Sequence, residues 1–206
     1  MKLNNKNVDI QKWDAWNDLG GPNYPHEKVV QFCLRNYPSD KRASTRVLDL
    51  GCGTGANTWF LSREGFTVTG TDISSRAIAA TKSRLDRSGL LAKLRVEGAN
   101  AINDPDESFD LIICIGVIEA VGPTIAKEVF EGVYKALVSN GFAFFLFASS
   151  EDYRIGESTC YNLHGYSKEE VQNLLPEFRS VMLDRYMSTY ENGTVTQCDW
   201  MLTCRK

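Results

Sequence analysis

The runs LIICI, from Leu111 to Ile115, and FAFFLF, from Phe142 to Phe147, are apolar at every position. A strand with one face in water alternates apolar and polar side chains, so strands that do not alternate need cover on both faces. A doubly wound α/β sheet, with helices above and below, supplies that cover. The rest of the chain fits it, since short apolar runs alternate with helical patterns from residue 46 onward, the signature of strand–helix units around a parallel sheet. Strands are predicted at Arg46–Leu50, Phe66–Thr71, Lys93–Glu97, Phe109–Ile115 and Phe142–Ala148. Helices are predicted at Gly55–Arg63, Ser74–Ser88 and Pro123–Leu137, with Pro123 at the first helical position and Asn140–Gly141 as a stop.

The pattern then changes. SKEE, from Ser167 to Glu170, is a capping box that opens a helix to about Leu175. Phe178–Tyr190 and Val195–Cys204 follow as two strands joined across Glu191, Asn192 and Gly193 by an Asn-Gly hairpin turn. Cys198, Trp200, Leu202 and Cys204 alternate onto one face of the second strand. The expected sheet is therefore mostly parallel and ends in an antiparallel hairpin.

With 206 residues and 43% apolar content the chain can bury a full core, and one domain over residues 1–206 is expected. A formal charge of −3 and a pI near 5.5 oppose a broad nucleic-acid face. The cluster Lys82, Arg84, Arg87 is read as the solvated side of a helix. The start MKLNNKNVDI lacks a signal-length apolar core, and no run reaches the roughly 18 apolar residues of a membrane span, so a cytoplasmic protein without membrane contact is expected. The cysteines at 33, 52, 114, 160, 198 and 204 form no C-x-x-C pair, and Cys114 and Cys198 fall in apolar strands as reduced core residues. Cys160 and His164 lack further ligands nearby, so no metal site is expected.

The stretch VLDLGCGTG, from Val47 to Gly55, places three glycines straight after the first strand. Free N–H groups at the helix start behind such a turn attract an anion. A dinucleotide pyrophosphate is one candidate, since Gly51, Gly53 and Ala56 satisfy G-x-G-x-x-A. The carboxylate of S-adenosylmethionine is the other. Asp49 favours the second, because a carboxylate in the turn repels pyrophosphate but helps to bind an ammonium, directly or through water; its alternative role is to cap the turn's own backbone. Asp72 closes the second strand in VTGTDIS, where it can accept both ribose hydroxyls of either ligand.

Taken together, VLDLGCGTG, VTGTDIS and FDLIICIGVIEAVG resemble the class I S-adenosylmethionine-dependent methyltransferases, in order and approximate spacing over residues 46–148. The resemblance implies a seven-stranded sheet with an antiparallel last strand. It places Gly51, Gly53 and Gly55 around the methionyl group, Asp72 on the ribose, Ile73 on an adenine face, and Ile115 and Gly116 near the reactive sulfur. Where relatives carry an acid for the adenine amino group, this chain has Glu97, Gly98, Ala99 and Asn100, so either the Asn100 amide or the Ala99 backbone takes that role. Where relatives read LEH, this chain has Ile118, Glu119 and Ala120, which leaves Glu119 as the acidic candidate and no histidine.

The methyl carbon of a sulfonium is already electrophilic, so transfer needs alignment and exclusion of water, and a base only if the acceptor keeps its proton. His164, in HGYSKEE, is the candidate base, with backbone bonding as its structural alternative. Substrate contacts are expected from the loop 149–166, with Tyr153, Arg154, Tyr161 and His164. They are also expected from residues 1–40, a helical lid segment carrying Trp13, Trp16 and Tyr24, whose tryptophans are otherwise packing residues. His26 is placed in the first turn of the next helix and given no chemistry. The leading expectation is transfer of a methyl group from S-adenosylmethionine to a small-molecule acceptor. The alternatives are an NAD-dependent oxidoreductase and a non-catalytic S-adenosylmethionine-binding protein.

Overall fold

A computed structural model describes residues 10–155 and 162–206; Cys160 and Tyr161, named above, lie outside them. Seven strands form one sheet: β1 (Arg46–Leu50), β2 (Thr67–Asp72), β3 (Lys93–Val96), β4 (Phe109–Ile115), β5 (Leu137–Ala148), β6 (Ser180–Tyr190) and β7 (Val195–Arg205). Their order is β3-β2-β1-β4-β5-β7-β6. β1 to β5 are parallel, and β7 runs antiparallel to both β5 and β6. From β1 the chain winds outward through β2 to β3, then returns to place β4 on the other side of β1. The boundary between β1 and β4 is thus the switch point at which open α/β sheets form a crevice beyond their carboxyl ends.

The all-apolar strands divide between two cores. Ile112, Cys114, Ala143, Phe145 and Phe147 pack with Val129, Phe130 and Val133 of α6 (Ile118–Ala136) and Val171 of α7 (Lys168–Leu174). Leu111, Ile113 and Phe144 face the other way, onto Val29 and Cys33 of α2 (Glu27–Asn36) and Phe60 and Leu61 of α4 (Ala56–Arg63). The remaining helices are α1 (Ile10–Asp18), α3 (Ser39–Arg42) and α5 (Ser75–Arg87). Cys33, Cys52, Cys114, Cys198 and Cys204 are free and buried. Among the described residues, no helix is long and apolar enough to cross a membrane.

Several local signals act as expected. Pro123 begins the long part of α6, because Gly122 (φ 72°) breaks the helix just before it. The capping box is complete: Glu170 N donates to Ser167 Oγ at 3.2 Å and Ser167 N donates to Glu170 Oε2 at 2.7 Å. Others differ. β5 starts at Leu137, and the Asn140–Gly141 stop lies inside it as a bend, with Asn140 at φ 67°. The β6–β7 connection is no two-residue Asn-Gly turn: Tyr190 pairs with Val195, so residues 191–194 form the loop, and Glu191, Asn192 and Gly193 all have positive φ. β7 is buried on both faces rather than one, since Asp199 and Thr203 are buried along with the four alternating residues. Arg84 is not a free surface charge. Its guanidinium donates to the carbonyls of Asn23 at 2.8 Å and Pro22 at 2.9 Å, tying the segment after α1 onto α5.

Candidate active site

At the switch point the structure holds a cavity of about 770 Å³, within the range of small-molecule sites. Its floor is the turn between β1 and α4. Gly51 N and Cys52 N both donate to Thr71 O, at 2.8 and 2.9 Å, which ties the turn to β2. The three glycines do different work. A side chain at Gly51 would run into Val117, and one at Gly55 would come within 2.6 Å of Thr81 on α5, so both are dictated by packing. At Gly53 (φ 54°) the nearest atom is 3.8 Å away, and this glycine faces the cavity. Gly51 also lines the cavity; Gly55 does not.

Asp72 stands at one side of the floor. Its Oδ2 accepts from Gly53 N and its Oδ1 from Ser74 N, each at 2.9 Å. A carboxylate offers about four lone-pair positions, so two remain for a ligand. Burial raises its pKa while the amide hydrogen bonds work against the rise. Ile73, Ala99 and Asn100 continue this wall. Asn100 Nδ2 donates to Glu128 Oε2 at 2.7 Å, and because a carboxylate only accepts, this leaves Asn100 Oδ1 for another donor. Glu97, which also lines the cavity, is occupied by Arg95 at 2.9 Å and Asn103 at 2.8 Å.

Asp49 is turned away from the cavity. It shares its face of β1 with Val47, toward α4, where Thr58 Oγ1 donates to its Oδ2 at 2.5 Å. Burial pushes its pKa up to about 7. The carboxylate expected to attract the ligand's ammonium thus ties α4 to β1 instead.

The roof is the amino-terminal segment. Trp13, Trp16, Asn17 and Tyr24 line the cavity, and α1 is fastened to α5 by Ser74 Oγ donating to Asp14 Oδ1 at 2.5 Å and by the Arg76–Asp18 ion pair. Tyr24 is 81% exposed, so only part of its surface faces inward.

The far end, beyond Ile115 and Gly116, holds the ionisable groups. Glu119, in the first turn of α6, is 3% exposed, and its Oε2 has no hydrogen-bond partner. Burial raises its pKa to about 7, with its own backbone amide and Arg154 opposing the rise. Arg154 is held by Asp152, with Nε donating at 2.7 Å, and by Asp199. Burial favours its neutral form, but these acids outweigh that and keep it charged.

His26, given no chemistry from the sequence, lines the cavity, and it is the N-cap of α2 rather than a residue of its first turn. Its Nδ1 accepts from Lys28 N at 3.2 Å, so the neutral ring carries its hydrogen on Nε2 and acts there as a donor. Burial lowers its pKa despite the nearby Asp199. Tyr186 packs edge-on against the ring at 5.5 Å. Thr54, whose buried Oγ1 has no partner, was also missed, although its position within GCGTG was a signal. His164 and Tyr153 do not line the cavity. His164 N donates to Glu119 O at 2.7 Å and its Nε2 lies 3.3 Å from Glu170; Tyr153 is exposed beside Tyr190. Among the described residues no group of three acidic, cysteine or histidine side chains could hold a metal.

A family model described as "Methyltransferase domain" matches residues 47–141, the segment that builds the turn, Asp72 and the strand ends around this cavity. Over those residues the chain is similar to that family. The chain is 43% identical over 76 residues to the ubiquinone biosynthesis O-methyltransferase of Bradyrhizobium diazoefficiens, a match covering 37% of the chain and 30% of the relative. It spans less than half the length of the first curated relatives it matches, 49% and 30%. Its fold is shared with magnesium protoporphyrin IX methyltransferase from Synechocystis PCC 6803, solved with bound SAH, at TM-score 0.71 and 14% identity over 95% of each chain. A structure described as "Conversion of a Disulfide Bond into a Thioacetal Group during Echinomycin Biosynthesis" gives TM-score 0.75 and 18% identity over 96% of this chain and 92% of that chain.

Proposed function

We propose that the protein transfers the methyl group of S-adenosylmethionine to a small-molecule acceptor by in-line displacement. The observation that carries this reading is the meeting, in one cavity, of the Gly53 turn with an Asp72 carboxylate that has two acceptor positions left. In this reading the cofactor's ribose hydroxyls donate to Asp72, its adenine lies along Ile73, and Asn100 Oδ1 accepts from the adenine amino group. The unpartnered Thr54 hydroxyl, with the amino-terminal end of α4 behind it, receives the methionyl carboxylate. The sulfonium then lies by Ile115 and Gly116, and the acceptor occupies the space between those residues, Glu119 and the aromatic roof of Trp16 and Tyr24.

In this arrangement the protein supplies alignment and dryness rather than electron-pair chemistry, since the sulfonium is already activated. Glu119 replaces His164 as the group placed to take a proton from the acceptor. Calorimetric titration with S-adenosylhomocysteine and NADH tests the reading. S-adenosylhomocysteine is expected to bind in the micromolar range and NADH not at all. NADH binding without S-adenosylhomocysteine binding would return the protein to the oxidoreductases. S-adenosylmethionine bound without being consumed by any acceptor mixture would leave a binding protein.

A further inference from the structure

We propose that the acceptor half of the cavity takes an amine, which enters as an ammonium ion and gives its proton to Glu119. The inference rests on the S-adenosylmethionine reading and adds the substrate class. Four observations support it.

First, the charges lining the cavity are mostly acidic: Glu27, Asp72, Glu97 and Glu119 against Arg154, the single lysine or arginine in the lining among the described residues. Second, most of these charges are already answered. Glu97 is paired with Arg95, Asp72 accepts two backbone amides, and Arg154 is held by Asp152 and Asp199. An anionic acceptor would therefore find the only lining cation already paired and would meet the Glu119 carboxyl. Third, Glu119 Oε2 is buried in the lining with no partner, a costly state for a carboxyl unless a ligand completes it. Fourth, aromatic side chains of Trp13, Trp16 and Tyr24 line the same space, and a cation is attracted to aromatic faces where a carboxylate is not.

The groups around Glu119 come from several elements. Arg154 attracts its charged form, Asp152 and Asp199 repel it, and the Cys114 thiol on β4 and the Tyr166 hydroxyl stay neutral through burial, the latter donating to Ile118 O at 3.1 Å. An arriving cation is the missing partner for that carboxylate.

The step balances without an outside reactant. The ammonium passes one N–H proton to Glu119 Oε2, and the freed nitrogen lone pair attacks the methyl carbon. The carbon–sulfur bond breaks with its electrons staying on sulfur, which gives S-adenosylhomocysteine and the N-methylated ammonium. Glu119 then returns its proton to water, so one proton is released per turnover.

The test uses the full chain loaded with S-adenosylhomocysteine, whose neutral sulfur does not repel a cation. It is titrated calorimetrically with phenethylamine, 4-ethylphenol and 3-phenylpropionate, three probes of similar shape and different charge. Phenethylamine is expected to bind the wild type at least tenfold more tightly than either other probe, and to lose at least tenfold in Glu119→Gln. Should that variant not fold, the wild type decides alone: amine affinity is expected to fall about tenfold from about pH 8 to about pH 6 as the carboxyl takes up its proton. The amine inference is overturned by equal or tighter binding of the phenol or the carboxylate, by no binding of the amine, or by amine affinity indifferent to both the substitution and pH. Wild type that binds S-adenosylhomocysteine but not the amine sinks this inference alone, whereas wild type that binds no S-adenosylhomocysteine sinks the reading beneath it.

Discussion

Replacing Glu119 by glutamine is expected to change how stability depends on pH more than stability itself. Burial raises the Glu119 carboxyl from 4.5 to about 7. Between those values the folded chain keeps a proton that the unfolded chain has released. Stability from this group is therefore complete below about pH 4.5, falls as pH rises toward 7, and levels off above. The full span is worth about 3 kcal/mol, of which about 2 kcal/mol falls between about pH 5 and about pH 8. Two other groups share the window. Asp49, raised by burial from 3.8 to about 7, adds a slope of the same sign, while His26, whose pKa is lowered from 6.5, loses stability as pH falls and adds the opposite slope. Both are present in wild type and variant, so the difference between the two proteins isolates Glu119. The glutamine amide also meets no partner, a pH-independent cost of about 1–2 kcal/mol. Urea unfolding at the two pH values measures the effect: the wild type is expected to lose about 2 kcal/mol more than the variant on going from acid to alkaline buffer. Slopes that agree within about 0.5 kcal/mol would show that the folded carboxyl titrates normally, and the picture of a buried, unanswered acid would be wrong.

Four further outcomes follow from the same geometry. Asp72→Ala is expected to weaken S-adenosylhomocysteine binding by about 2 kcal/mol in calorimetry, since in the proposed binding mode it removes charged hydrogen bonds to the ribose, and it frees Gly53 N. Gly55→Ala is expected to cost at least about 2 kcal/mol of folding stability through the left-handed backbone and the clash with Thr81, whereas Gly53→Ala costs about 1 kcal/mol of stability and shows its main effect in cofactor affinity. Arg84→Met releases the Pro22 and Asn23 carbonyls, so the roof opens more often; protease cleavage near residues 20–25 is expected to speed up several-fold with S-adenosylhomocysteine affinity little changed. His164→Ala is expected to leave the pH profile of turnover unaltered, because that side chain faces Glu170 outside the cavity.

The cofactor half was legible because its signals are local. A strand, a glycine turn, a helix and an acid one strand later lie within about 25 residues, and their spacing alone requires them to converge. The two cores were equally readable from strands without alternation. The opposite side of the cavity was legible only in part: Arg154, Glu119, Trp16 and Tyr24 were named, but His26 and Tyr186 come from an N-cap and a hairpin strand that only the completed sheet brings there. Arg84 misled for a related reason: helical spacing placed it on the outer face of α5, but the carbonyls it holds belong to a segment about 60 residues earlier.

Asp49 and Glu119 were both expected in the site from the sequence, and the structure separates them. Each is a buried acid at the carboxyl end of a central strand, and burial brings each to about 7. Asp49 lies within the strand, so the two-residue period sends its side chain to the same face as Val47, against α4, where Thr58 answers it. Glu119 lies past the strand end, in the first helical turn of α6, where the strand's period no longer applies and the side chain lines the crevice. The motif drew attention to Asp49 because it stands beside the glycines. What separates the two acids is the element each occupies: the strand residue is consumed by packing, and the helix residue lines the cavity with an oxygen that no protein group answers.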